Sequence, residues 1–125
     1  MKFKIDTKEK IVVFCPEEDA LDANLSAPFI STITSLPELE ARNLILDLHL
    51  VKRTDDAGVQ AILTVYRQMY DNHRSCAITG INSELTQKLK ATGDELLNLA
   101  PTMAEAIDLV MMEELERELL DGFDE

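Results

Sequence analysis

The stretch RTDDAGVQ, Arg53 to Gln60, sets two adjacent carboxylates, Asp55 and Asp56, where an apolar run gives way to a helical pattern. An acid at a helix start accepts hydrogen bonds from the first-turn N–H groups that lack intrahelical partners. It also interacts well with the positive end of the helix. Capping contributes on the order of 1 kcal/mol and the dipole about 0.3–1 kcal/mol. Paired acids can instead help hold Mg²⁺ among carboxylate and water oxygens, or one can accept a phosphoryl group. A third use is a fixed negative charge offered to a basic partner. One acid suffices for the cap, so the other invites a second account. Thr54 is the only hydroxyl near the turn, and a phosphate there would sit beside two like charges.

The remaining chemistry-bearing side chains form no motif. His49 and His73 are the only histidines, one inside an apolar stretch and one in a turn, and both read as structural or solvated. Cys15 and Cys76 each lie in a strand-like apolar stretch without Cys-x-x-Cys spacing. They read as buried, reduced thiols with no metal or redox role. No Gly-x-Ser-x-Gly is present, so a catalytic triad has no obvious nucleophile. The four glycines are dispersed, which leaves no phosphate-cradling loop. The expectation is a non-catalytic chain without cofactor or metal.

The chain of 125 residues carries 24 acids against 12 bases, a net charge of -12. That field repels phosphate backbones and anionic lipid, so a basic protein surface is the better partner. Hydrophobic residues make up 46% and aromatics 5%, which implies a real but largely aliphatic core. The N-terminal Lys-Phe-Lys-Ile lacks the apolar centre of a signal peptide, and no apolar run is long enough to span a bilayer. A cytoplasmic location is expected.

Periodicity supplies the elements that must position the turn. KFKID alternates as a half-buried strand with Phe3 and Ile5 on one face, and IVVFC forms a hairpin with it. EEDALDAN reads as an irregular loop. Ser26 is placed to cap a helix with an early Pro28, in which Phe29, Ile30, Ile33 and Leu36 recur, and Pro37 ends the run. NLILDLHLV reads as a strand with Leu44, Leu46, Leu48 and Leu50 on one face. Ala57, Ala61, Val65 and Met69, with Ile62 and Tyr66, mark an amphipathic helix closing near Asn72. CAIT is a short strand. Ser83 caps a helix carrying Leu85 and Leu89, and Gly93 fits its left-handed end. LLNLA is a last strand, and Thr102 with Glu105 opens a final helix through a capping box. This alternation implies an α/β fold: a mixed, mostly parallel sheet with surrounding helices and an N-terminal hairpin.

Three stretches resemble the STAS domain of anti-sigma factor antagonists and sulphate transporters. LDANLSAP, residues 21 to 28, is similar to the family's Leu-Asp-Ala loop and Ala-Pro helix start. LILDLHLVKRTDDAG, residues 44 to 58, resembles its Leu-Asp-Leu strand and Asp-Ser-Ser-Gly turn. NSELTQKLKATG with LNLAPTMAEA is similar to its third helix, Thr-Gly turn and last helix start. In antagonists of this family, a hydroxyl in the Asp-Ser-Ser-Gly turn is phosphorylated by a serine kinase that doubles as the anti-sigma factor. Asp55 and Gly58 match the family's aspartate and glycine, whereas Asp56 and Ala57 occupy the serine positions, so the acceptor hydroxyl is missing.

The resemblance implies a protein-binding regulator whose contact surface comprises Asp22, Asn24, Thr54, Asp55, Asp56, Ala57 and Gly58. Its partner would be a kinase-like anti-sigma factor. Asp22 carries over from the family's loop aspartate, and Asn24 enters as its neighbour. Asp56 then either mimics phosphoserine, carrying one charge against about 1.5 to 2, or simply suits a basic partner. Two alternatives stay open: a scaffold subunit, as on transporter ATPases, and a receiver-like phosphoacceptor using Asp47 with Glu17, Glu18 and Asp19. The receiver reading lacks a lysine after the last strand.

Residues 1–110 are assigned to the STAS-like domain and 111–125 to a helical extension with an acidic tail. The segment EELERELLDGFDE holds seven acids against one arginine. Its Leu115, Leu119 and Leu120 either pack on the domain, with Gly122 breaking the helix before Phe123, or form an acidic-hydrophobic docking segment for a basic groove.

Overall fold

The computed structural model describes residues 1–93 and 97–123, apart from the side chains of 122 and 123. Leu96, the first residue of the expected LLNLA strand, and the last two acids of the tail lie outside the described residues. Strands β1 (Phe3–Thr7) and β2 (Ile11–Pro16) form the expected antiparallel hairpin, with Ile5 opposite Phe14. Then β4 (Asn43–Asp47), β6 (Cys76–Thr79) and β7 (Leu99–Ala100) add in parallel, giving the order β1-β2-β4-β6-β7. A separate parallel pair, β3 (Ala20–Leu21) and β5 (Arg53–Thr54), joins Leu21 to Thr54. The loop expected over residues 17–24 thus contains a short strand and the start of a helix.

Strand alternation divides the core. Phe14, Leu44, Leu46, Cys76 and Ile78 face helices α1 (Ala23–Thr34), α2 (Asp56–Asp71) and α3 (Ser83–Ala91). Ile11, Val13, Ile45 and Ala77 face α4 (Met103–Phe123) through Ala106 and Val110. Burial on both faces explains why β2 and β4 read as near-continuous apolar runs. Phe14 is central on the first face, stacked on Phe3 at 5.0 Å and edge-on to Phe29 at 6.0 Å. Ile5, expected beside Phe3, is exposed on the edge strand.

Several boundaries shift for identifiable reasons. Helix α1 begins at Ala23, not after Ser26: Asp22 accepts from the Asn24 and Leu25 N–H groups, and Pro28 falls inside the helix. Ser26 instead donates its hydroxyl to the Asp22 carbonyl. Asn82, not Ser83, caps α3 by accepting from Leu85 N–H, and its amide also donates to the Lys52 carbonyl. Strand β4 ends at Asp47, whose carboxylate accepts from the His49 N–H and turns the chain. Leu48 stays buried but Leu50 is exposed. Gly93 is left-handed as expected, with φ of 79°. The strands of this sheet lie in chain order from β1 to β7, without the reversal of a flavodoxin-like 2-1-3-4-5 sheet, which removes the receiver-like reading.

Helix α4 departs most from its apolar pattern. It continues through Gly122 as one helix, and Met112, Leu115, Leu119 and Leu120 are exposed rather than packed on the domain. Glu114 goes inward instead, 7% exposed. Its Oε2 accepts from Arg117 at 2.8 Å and from the Asn43 amide at 3.2 Å. Arg117 donates further to Ser75 Oγ at 2.7 Å and Asn43 Oδ1 at 2.9 Å. Glu113 accepts from Tyr70 and Asn98. The helix is therefore fastened by satisfied charges to residues at the N-terminal ends of β4 and β6. Removing one partner of a buried pair strands the other. Arg117→Ala should lower stability by about 2 kcal/mol, discounted because Arg117 is partly exposed. Leu119→Ser with Leu120→Ser should stay within about 0.5 kcal/mol of the parent. Urea unfolding of the three proteins checks the contrast.

Candidate functional site

The short β3–β5 ladder brings the N-terminal ends of α1 and α2 together, and Asp55 joins them. Its Oδ1 accepts from Gly58 N–H at 2.8 Å, capping α2. Its Oδ2 accepts from Ala23 N–H at 3.1 Å, the first N–H of α1. With Asp22 serving Asn24 and Leu25, the first three N–H groups of α1 are satisfied by two carboxylates from different loops. The positive ends of two helices share one acid, which offsets their mutual repulsion. The Gly58 N–H foremost, joined by that of Ala23, outweighs desolvation and holds the Asp55 carboxyl below its ordinary value of 3.8.

Gly58 has a separate task. A Cβ there would lie 2.0 Å from the Leu21 carbonyl oxygen and 2.9 Å from its carbon. Both are backbone atoms of β3 and cannot swing aside. The glycine lets the first turn of α2 pass directly over the strand that leads into Asp22.

The seven expected contact residues separate by exposure. Asn24, Asp55 and Asp56 are exposed, Asp22 and Ala57 half-buried. Thr54 is only 8% exposed and Gly58 is buried. These two shape the corner from beneath rather than face a partner, because the ladder to Leu21 covers them. The burial also withdraws Thr54 as an accessible phosphorylation site. Its carbonyl accepts from Lys88 Nζ, tying α3 to the turn. Asp56 is the first residue of α2, and among the described residues no hydrogen bond or ion pair engages its carboxylate. It borders a cleft between α2 and α3 lined by Val59, Gln60, Lys88, Ala91 and Thr92.

The sequence reading missed the Asp55–Ala23 bridge and the Gly58–Leu21 contact, both between segments far apart in the chain. It also missed that Cys15, Asp47 and His49 converge on the opposite face of the sheet. The signal for that cluster was present in the alternation, since Cys15 and Asp47 share the strand parity of Val13 and Ile45.

The family profile described as STAS domain matches residues 2–106. The chain belongs to the STAS domain family. Among solved structures, it is similar to a Thermotoga maritima protein described as an anti-sigma factor antagonist, at 17% identity and TM-score 0.77. That match covers 87% of this chain and 94% of the other. It is similar to RsbS of Moorella thermoacetica carrying a serine-to-glutamate substitution, at 18% identity and TM-score 0.67, covering 94% and 99%. It is also similar to part of the murine anion transporter Slc26a9, at 14% identity and TM-score 0.69, covering 82% of this chain and 18% of the transporter. Identities this low establish the shared fold. No curated protein matches the sequence significantly. Among the described residues, no helix is long and apolar enough to cross a membrane.

Two outcomes follow from the corner's geometry. Gly58→Ala must push α2 off Leu21 and should cost on the order of 3 kcal/mol, the upper range for overpacking. Asp55→Asn should lower the melting temperature at neutral pH, because the amide nitrogen cannot accept a second N–H. A depressed folded-state pKa stabilises above the unfolded value, and that gain is lost as pH falls through the folded value. The parent should therefore lose its advantage over Asp55→Asn only as pH drops below the ordinary carboxylate value. Thermal melts followed from neutral pH through the carboxylate range measure this.

Proposed function

We propose that the chain is a non-catalytic, protein-binding regulator of the anti-sigma antagonist type, with the α1–α2 corner as its contact surface. The observation that carries this reading is the division of labour between the two acids. Asp55 alone caps α2, which leaves Asp56 exposed and, among the described residues, without a hydrogen-bonding or ion-pair partner at the mouth of α2. A side chain that is exposed on the first turn of a helix, beside a cleft, is accessible to another molecule, which supports this reading. Asn24 and the half-buried Asp22 and Ala57 complete the exposed rim.

In this reading the domain spans residues 1–110, and the partner is a cytoplasmic kinase-like anti-sigma factor. Asp56 and Ala57 replace the serines of the family turn, so the corner carries a constant charge where a hydroxyl would be modified and restored. One carboxylate gives about half to two thirds of the charge of a phosphoserine and fewer acceptor oxygens, so the mimicry is partial. The solved RsbS bearing glutamate for serine supports treating an acid in such a protein as a meaningful state. The exposed Leu115, Leu119 and Leu120, set among acids, supply a second contact for a basic groove. The scaffold reading is favoured by one observation, the likeness to a transporter segment that is 18% of its chain. There the partner would be a transporter component such as an ATPase.

Affinity capture with the parent, Asp56→Arg and Asp56→Ser proteins tests the proposal. A kinase-like anti-sigma factor should be captured by the parent, and Asp56→Arg should weaken its binding about tenfold, near 1.4 kcal/mol. That kinase should phosphorylate Asp56→Ser and leave the parent unmodified. Capture of a transporter ATPase would favour the scaffold. Binding indifferent to charge reversal at Asp56 would remove the corner as the contact surface.

A further inference from the structure

On the sheet face that carries α4, the C-terminal ends of β2 and β4 present Cys15 and Asp47 side by side, each one residue past the Phe14–Leu46 pair. His49, just after β4, folds back over them. Its Nδ1 lies 2.9 Å from Asp47 Oδ1 and 3.8 Å from Cys15 Sγ. One sulfur, one nitrogen and one oxygen thus fall within 4.8 Å of one another. Cys15 is buried, Asp47 half-buried and His49 exposed, so the cluster is seated in the sheet and open on one side.

We propose that Cys15, Asp47 and His49 bind a divalent transition-metal ion of the zinc class, with a fourth position open to water. The inference is independent of the protein-binding reading and reverses the expectation that both cysteines are inert.

The donor set fits such an ion. Thiolate, imidazole and carboxylate are all zinc ligands, and three protein ligands with one open position is a recognised arrangement. Tetrahedral bonds of about 2.0–2.3 Å place neighbouring donors about 3.3–3.6 Å apart. The Sγ–Nδ1 separation is already near that value. The Asp47–His49 hydrogen bond must open by about half an ångström. Both Cys15 and Asp47 approach the same nitrogen, Nδ1, which can form one good hydrogen bond along its lone direction. A metal ion satisfies all three atoms at once.

The surroundings also favour a cation. The charged groups facing the thiol are Asp47, Glu17 after β2, and Lys4 on β1 directly opposite Cys15. Lys4 is occupied by Glu17 at 3.6 Å. Burial, then the two acids, push the Cys15 thiol up, with Lys4 opposing. A nucleophilic cysteine needs the reverse, whereas the charge of the two acids beside the sulfur attracts a cation. Gly80, at the end of β6, makes room: a Cβ there would lie 2.8 Å from Asp47 Oδ1 and 2.9 Å from His49 Cβ, and its φ of 76° is left-handed. Ligands at the carboxyl ends of parallel strands are a general feature of open α/β sheets. On binding, the Cys15 S–H bond breaks, the sulfur pair goes to the metal, and one proton passes to solvent.

Titration of the untagged full chain with CoCl₂ tests the site. The parent should develop a thiolate-to-cobalt charge-transfer band at one equivalent, and affinity should rise about tenfold per pH unit just above neutrality as the proton is displaced. Cys15→Ser and His49→Gln should lose the band, while His73→Gln, at the other histidine, keeps it; circular dichroism confirms that each is folded. ZnCl₂ at about a hundredfold over its Kd should raise the parent's melting temperature by roughly 5–10 °C. No band from the folded parent, or a band that survives in Cys15→Ser or in His49→Gln, would overturn the proposal.

Discussion

One carboxylate fixes the corner at which helices α1 and α2 meet. Helix N-termini carry unsatisfied N–H groups and partial positive charge, so two of them brought together repel. Asp55 sits between α1 and α2 and gives one oxygen to each. The approach is close enough that α2 needs glycine above the Leu21 carbonyl, and close enough that two residues on each side complete a parallel ladder. Neither the ladder nor the glycine would hold the corner alone: two strand pairs contribute little, and glycine supplies only space. The shared acid turns a costly meeting into a stable one.

The architecture was legible wherever an apolar run or a side-chain period persisted for several residues. β2 and β6 were read in place as short runs buried throughout, and α2 because its buried positions repeat at three to four residues. The failures occur where a single side chain competes for the backbone. Asp22 outbids Ser26 as a cap because it lies next to the Asp55 corner, and Asp47 ends β4 by taking the His49 N–H. β3 and β5 are two residues each, too short to carry any period. The first half of helix α4 packs Met103, Ile107, Val110 and Met111 as their spacing implies, but its second half defeated the pattern since its inward positions include Glu114 and Arg117, made tolerable by Asn43 and Ser75.

The candidate site divides the same way. That an acid would cap α2 was written in the local sequence. That Thr54 would be covered, and that Gly58 answers to a carbonyl in another loop, depends on contacts no local window contains. The convergence of Cys15, Asp47 and His49 is likewise a product of strand register. Each residue looked unremarkable by itself, and the sheet made them neighbours.

The arrangement of α2's opening residues separates architecture from signal. Everything the fold demands there is met by residues 55 and 58, and the side chain at 56 hangs outside that contract. Substitutions at this point should therefore leave both helix starts as they are, so residue 56 can vary with its surroundings rather than with the fold.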